Sequence, residues 1–373
     1  MGSMAFWYEE SKVNIDEKPK AVMNFNLWTQ CNSGEVSFLD IGFVVSNIKA
    51  ASKLYFYIPF SDAKIKDLSD NINTSKSISA IFNEKYSVID LSETRRFWPV
   101  TGTDDKVEFV IYSWGTHSDN AVKVISEGKD PGATVEIDAD KIVEHINNIK
   151  AKKFQDTDNL YFRFRVEIPE PVQKDTIVRK YSPPNSFLQS TWATTYIVDF
   201  RFDDLRSLPE EISSKTITQK TEFVPVTKLH FLLMTKAHVD VETGARDLTL
   251  RELEENTWDE YIDKRFETKD VVAYHCAVKQ KEEKPIYQWE FFAKIKVNNS
   301  TAKVVFLYLW VLAGLTILFN CLSNGVWFLM ENGYWFSVVM LGLIYFLICY
   351  FLMKDAIRGS SKKKRNRTVD KRK

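Results

Sequence analysis

The chain has 373 residues, with 50 basic and 50 acidic side chains, 14% aromatic residues and four cysteines. Ten basic against two acidic residues from Lys354 onward give the tail a balance of +8 and leave −8 for residues 1–353, so the body lacks the basic footprint that a nucleic-acid partner requires. Cys31, Cys276, Cys321 and Cys349 are scattered without a disulfide framework or zinc spacing, as a reducing compartment predicts.

Residues 1–20 form an N-terminal segment without the basic and apolar stretches of a secretory signal. Met1-Gly2-Ser3 reads as a cloning remnant ahead of Met4, and Phe6 stands where a myristoylation signal needs Ser or Thr. From Ala21 the chain reads as strands rich in aromatic and β-branched residues: Val22–Thr29, Val36–Val45, Lys53–Phe60, Tyr86–Leu91, Val107–Trp114 and Ala121–Ser126. Leu54 to Ile58 is apolar at every position, which predicts a strand covered on both faces. Asp138 then caps a helix whose Ile142, Val143, Ile146 and Ile149 recur on one face. The polar stretch 150–159 marks a boundary between a first β-rich unit, 21–150, and a second, 151–298.

In the second unit apolar residues alternate cleanly at Phe162–Ile168 and Tyr196–Phe202, so each reads as a strand with one dry and one wet face. Arg163 and Arg165 fall on the wet face, where cross-strand pairing with Asp199, Asp203 and Asp204 is expected. Val226–Thr235 and Val271–Lys279 add strands, and Thr249 with Glu252 forms a capping box that predicts a helix over 249–264. Tyr287, Trp289, Phe291, Ala293, Ile295 and Val297 alternate as a last strand. Only Asn298 to Ala302 separate it from the first long apolar run, a connection short and stiff enough to pass on rearrangement of the body.

Two such runs follow, 304–322 and 334–353, both free of Asp, Glu, Lys, Arg and His. About 20 apolar residues cross a bilayer core as a helix, so they predict a two-helix transmembrane hairpin turning at Ser323–Gly333. The basic tail 354–373 and Lys294, Lys296 and Lys303 outweigh a turn with no basic residue. Both termini are therefore expected in the cytosol, with the plasma (inner) membrane as the host. Trp310, Trp327, Tyr334 and Trp335 are the interface anchors, and Ala313, Gly314, Ser337 and Gly342 permit close helix contact and self-association. The fold class is thus α+β, predominantly β: a β-sandwich-like region of one or two units followed by the hairpin.

No phosphate-binding, nucleophile-elbow or kinase motif occurs, and His117, His145, His230, His238 and His275 lie apart in sequence with no metal-site spacing. No cofactor, metal or enzymatic activity is therefore expected. Arg95, Arg96 and Trp98 form a cationic, aromatic spot suited to a nucleotide or a peptide carboxylate. By architecture alone, an analogy with bacterial anti-phage effectors, the body is expected to sense an intracellular ligand or protein partner and to control a membrane-disrupting or pore-forming hairpin. The alternative is a non-enzymatic adaptor that recruits protein partners to the cytosolic face of the bilayer.

Overall fold

The computed structural model describes residues 2–12, 15–31, 37–60, 64–72, 75–82, 84–91, 94–100, 107–114, 121–126, 132–148, 157, 159–168, 177–181, 193–216, 220–244, 248–254, 258, 269–282, 284–298, 301–333, 339–340 and 343. In chain order the strands and helices are β1 Ala5–Glu10, β2 Lys20–Trp28, β3 Ser37–Ser46, β4 Ala51–Ile58, β5 Lys64–Asp67, α1 Ser75–Phe82, β6 Tyr86–Leu91, β7 Thr94–Pro99, β8 Phe109–Tyr112, β9 Val122–Ser126 and β10 Ala133–Asp138. There follow α2 Ala139–Asn148, β11 Leu160–Ile168, β12 Val178–Tyr181, β13 Ala193–Phe202, α3 Glu210–Thr216, β14 Thr221–Phe223, β15 Val226–Lys236, β16 Asp240–Thr243, β17 Leu248–Glu252, β18 Val271–Lys279, β19 Trp289–Asn298 and α4 Thr301–Glu331. Met1–Asn298 form one compact unit and Asn299–Lys373 a second.

The first unit is predominantly β, and its described residues form three sheets. Ten strands make the largest, running β17-β18-β15-β2-β3-β11-β8-β7-β6 with β5 also paired to β11; five make β14-β1-β4-β10-β9, and four make β12-β13-β19-β16. Alternation explains the packing: Phe25, Phe43 and Phe231 from one face of the large sheet meet Phe200 at 4.8 Å, Phe6 at 4.9 Å and Phe291 at 4.5 Å from the two smaller sheets. Residues of all three sheets share this core. Ring pairs at these separations add roughly 0.5–1.5 kcal/mol each beyond area burial. A second core, with Trp28, Phe38, Tyr161, Phe97 and Trp258, covers part of the opposite face of the large sheet.

The expected boundary at 150/151 is not a division of the fold. The large sheet pairs β3 with β11 over nine residues and β2 with β15 over eight, so strands from either side of residue 150 share one ladder. The N-terminal segment is likewise structural. β1 lies between β14 and β4, and Phe6 and Tyr8 enter the main core. The predicted helix over 249–264 begins instead as β17, paired with β18 from Leu248 to Glu252; the ladder satisfies the backbone groups that the capping box would have served. Residues 259–264 lie outside the described set.

Buried arginines are the largest departure from alternation read as wet and dry faces. Arg163 is fully buried, and Arg165 bonds Asp40 in a fork, Nε to Oδ1 at 2.6 Å and Nη2 to Oδ2 at 2.9 Å, with Trp28 Nε1 donating to the same carboxylate at 3.2 Å. Asp199, Asp203 and Asp204 are not the partners of these arginines. Their neighbourhood instead fastens the chain's beginning to the end of β13: Met4 N donates to Arg201 O, Asp203 N to Met4 O and Phe6 N to Asp203 Oδ1 at 2.8–3.0 Å. Asp203 adopts a left-handed φ of 53° there, which Asp tolerates better than most residues.

In the second unit, α4 runs 31 residues without a break, roughly 46 Å at 1.5 Å per residue. The turn expected at Ser323–Gly333 is therefore helical as far as Glu331. Helix termination falls to Gly333, whose φ of +75° is open to a residue without Cβ and lets its N–H reach Met330 O at 3.2 Å. Counted over the described side chains, no helix is long and apolar enough to cross a membrane; many side chains inside α4 lie outside that count. Of 334–353 only Val339, Met340 and Leu343 are described, each helical and exposed.

Candidate functional site

The outer face of the five-stranded sheet carries an aromatic cleft of about 410 Å³ lined by Trp7, Tyr55, Ile125, Thr134, Glu136, Lys215 and Thr221. Register builds it. Trp7 of β1 stands opposite Tyr55 of β4 and Phe223 of β14, and Tyr55 stands opposite Glu136 of β10, so these side chains share one face. The Trp7 and Tyr55 rings stack with centroids 5.3 Å apart and 12° between planes. Ile212 of α3 packs with Ala5, Trp7 and Tyr57 beside them, so that Trp7 is buried and Tyr55 is half-buried at the cleft.

Polar groups converge on the cleft. Tyr55 Oη donates to Glu9 Oε2 at 3.4 Å, and Lys53 Nζ reaches Glu136 Oε1 at 3.1 Å. Burial first, then the Glu136, Glu9 and Asp138 carboxylates, push the Tyr55 phenol well above its ordinary range, so it remains a hydrogen-bond donor at neutral pH. Thr221 Oγ1 is held by Lys215 O at 2.7 Å. A mostly apolar cleft of this size with a few fixed polar groups suits a small ligand or an aromatic side chain.

Residues singled out from the sequence lie elsewhere than in this cleft. Arg95 and Arg96 lie on β7. Arg95 donates to Ser69 O at 2.8 Å and Ser113 Oγ at 3.2 Å and pairs with Asp70 and Asp90. Arg96 is buried, and the side chain of Trp98 lies outside the described set. A strand turns consecutive side chains to opposite faces, so the two arginines do not form one spot. Asp199 and Arg201 pair at 3.1 Å and border a second, more polar cleft of about 590 Å³ with Phe292 and Glu290. Trp310, Ala313, Gly314 and Trp327 are exposed on α4, while Tyr334, Trp335, Ser337 and Gly342 fall outside the described residues.

Trp7 and Tyr55 were missed as a site although the signal was present: Ala5-Phe6-Trp7-Tyr8 is as apolar and aromatic as Leu54 to Ile58. Among the described residues no three His, Cys, Asp or Glu side chains gather as metal ligands. No family model and no curated protein matches the chain. Among solved structures it is similar to an Fcho1 Mu homology domain from Danio rerio with a bound Eps15 peptide, at 10% identity over 75% of this chain and 79% of that one, with a TM-score of 0.15. A likeness that low carries no argument about fold or function.

Proposed function

We propose that the chain is a membrane-anchored sensor and effector, in which the β-rich unit receives an intracellular small ligand or partner side chain at the Trp7–Tyr55 cleft and controls a C-terminal hairpin, 304–353, that disrupts the bilayer. The observation that carries the membrane half of this reading is exposed apolar surface around α4. Val305, Leu309, Trp310, Leu312, Phe319, Leu322, Trp327 and Phe328 are each at least 47% exposed. At about 100° per residue, Trp310 and Phe328 stand roughly 140° around the axis from Val305, and Leu322 about 100° the other way.

An amphipathic helix has one dry stripe; a helix apolar all round needs an apolar solvent. No charge interrupts it between Lys303 and Glu331, and the Thr316 hydroxyl is satisfied by Leu312 O at 2.8 Å. Trp310 and Trp327, 17 residues apart, are separated by roughly 25 Å along the axis, close to the ~30 Å of a hydrocarbon core and apt for its two interfaces.

The test expresses the full chain and a variant lacking 304–353. The full chain should stay in the membrane pellet after carbonate extraction and the deletion should not; a full chain released by carbonate overturns the anchor. Depolarisation of expressing cells that is lost with the deletion, and with W7A/Y55A while the protein remains in the membrane, supports the effector. If an unrelated two-span hairpin restores activity in place of 304–353, the adaptor reading takes over.

A further inference from the structure

The face of the ten-stranded sheet beside the second core carries two histidines that are far apart in the sequence. His230 on β15 and His275 on β18 are 45 residues apart, yet Nδ1 of the first lies 2.9 Å from Nε2 of the second, with the rings 9° from parallel. Around them the register sets cations. Lys228 stands directly opposite Lys279, two positions along from His230. Thr249 of β17 stands opposite His275, with Arg251 two positions beyond it. Asn24 of β2 stands opposite His230. Lys279 is exposed, and Lys228, Asn24 and both histidines are partly so.

We infer that this cluster binds a phosphoryl group, as a free phosphorylated small molecule or on a lipid headgroup. Like charges directly opposite in an antiparallel pair repel, and two lysines so placed beside two hydrogen-bonding imidazoles and an amide form a donor-rich, positive patch that an anion relieves. Burial first, then Lys228, His275 and Lys279, bring His230 down to about 4. Burial, Arg251 and Lys228 lower His275, and no carboxylate contributes to either shift. On β17's side Glu254 accepts from Trp258 Nε1 at 3.2 Å and interacts with Arg251; Asp40, further along the sheet, is held by Arg165.

The same positive field opposes a divalent cation, and no third ligand joins the two imidazoles among the described residues. The acidic balance of the body as a whole favours a small anion over a nucleic-acid strand.

The test is titration of the full chain, in neutral detergent, with inorganic pyrophosphate, read by calorimetry and by the histidine ring proton resonances. Binding that weakens at least tenfold in K228Q/K279Q, recovers in K228R/K279R and moves two histidine resonances supports the assignment. The arginine pair also guards against misfolding of the glutamine variant. Repeating the titration in nanodiscs separates the sources: pyrophosphate binding regardless of lipid indicates a free ligand, and resonance shifts produced by anionic lipid alone indicate a headgroup. Equal affinity in wild type and K228Q/K279Q, no pyrophosphate binding at millimolar concentration, or preferential binding of Zn²⁺ by the two histidines would overturn it.

Discussion

At the scale of single residues the molecule's most consequential groups are charges without water. Asp40 is fully buried and answers Arg165 through two hydrogen bonds of 2.6 and 2.9 Å. Truncating one partner of such a pair leaves the other charge buried, at a cost of about 3 kcal/mol or more. Asp40→Ala should therefore lower the urea midpoint of the full chain in neutral detergent by that equivalent, and an unchanged midpoint would mean that Arg165 reaches solvent. Asp203 works in the opposite sense. Burial raises its carboxyl well above the usual range, and its Oδ2 has no hydrogen-bond partner.

Because the folded pKa of Asp203 is raised, its contribution to stability is fully present below the unfolded value near 3.9 and is lost as the pH rises through the folded value. Asp203→Asn, which keeps the left-handed backbone accessible and an oxygen for the Phe6 N–H, should melt higher than wild type at neutral pH, and the gap should close on acidification. A constant difference between the two melting curves from about pH 4 to 8 would show that folding does not raise the proton affinity of Asp203.

At the scale of elements, two strands show what local pattern decides and what it leaves open. Leu54 to Ile58 of β4 read apolar at every position, and this stretch packs on one face in the main core and on the other beside Ile212 and its neighbours. β11 reads as half wet, yet Arg163 and Arg165 lie under the second core. Alternation reports which residues share a face; it does not report whether that face meets water. Gly42 of β3 makes the buried arrangement possible, since a Cβ there would come within 2.8 Å of Tyr161 Oη and 2.9 Å of Arg163 Nη1. Gly42→Ala should cost roughly 1–3 kcal/mol by overpacking, measurable as a lowered denaturant midpoint with unchanged slope. β17 is the converse case, a segment with a helix-start signature that its ladder with β18 claims as a strand.

At the scale of the whole molecule, connectivity outweighs sequence position. The ladders β3–β11 and β2–β15 cross residue 150, so residues 21–150 and 151–298 expressed separately should each leave long unpaired edges and aggregate; two soluble, cooperatively melting halves would refute the single-unit architecture. The C-terminal helix makes its own prediction. Leu312→Arg places a charge amid its exposed apolar surface and should disfavour insertion by about 2.5–3.5 kcal/mol. The expected readout is a smaller carbonate-resistant fraction, and an unchanged fraction would argue that lipid does not surround this position.

Properties held by a few consecutive residues were open to the sequence alone: the strand periods of β2, β3, β13 and β15, the Asp138 cap that donor Lys141 N meets at 3.1 Å, and the charge-free stretch after Lys303. What joins distant residues belonged to the tertiary structure. Phe6 meets Asp203 across 197 residues, Arg165 meets Asp40 across 125, and His230 meets His275 across 45. The physical reason is that period and charge density are local, whereas burial, hydrogen-bond partner and proton affinity depend on what the rest of the chain brings alongside.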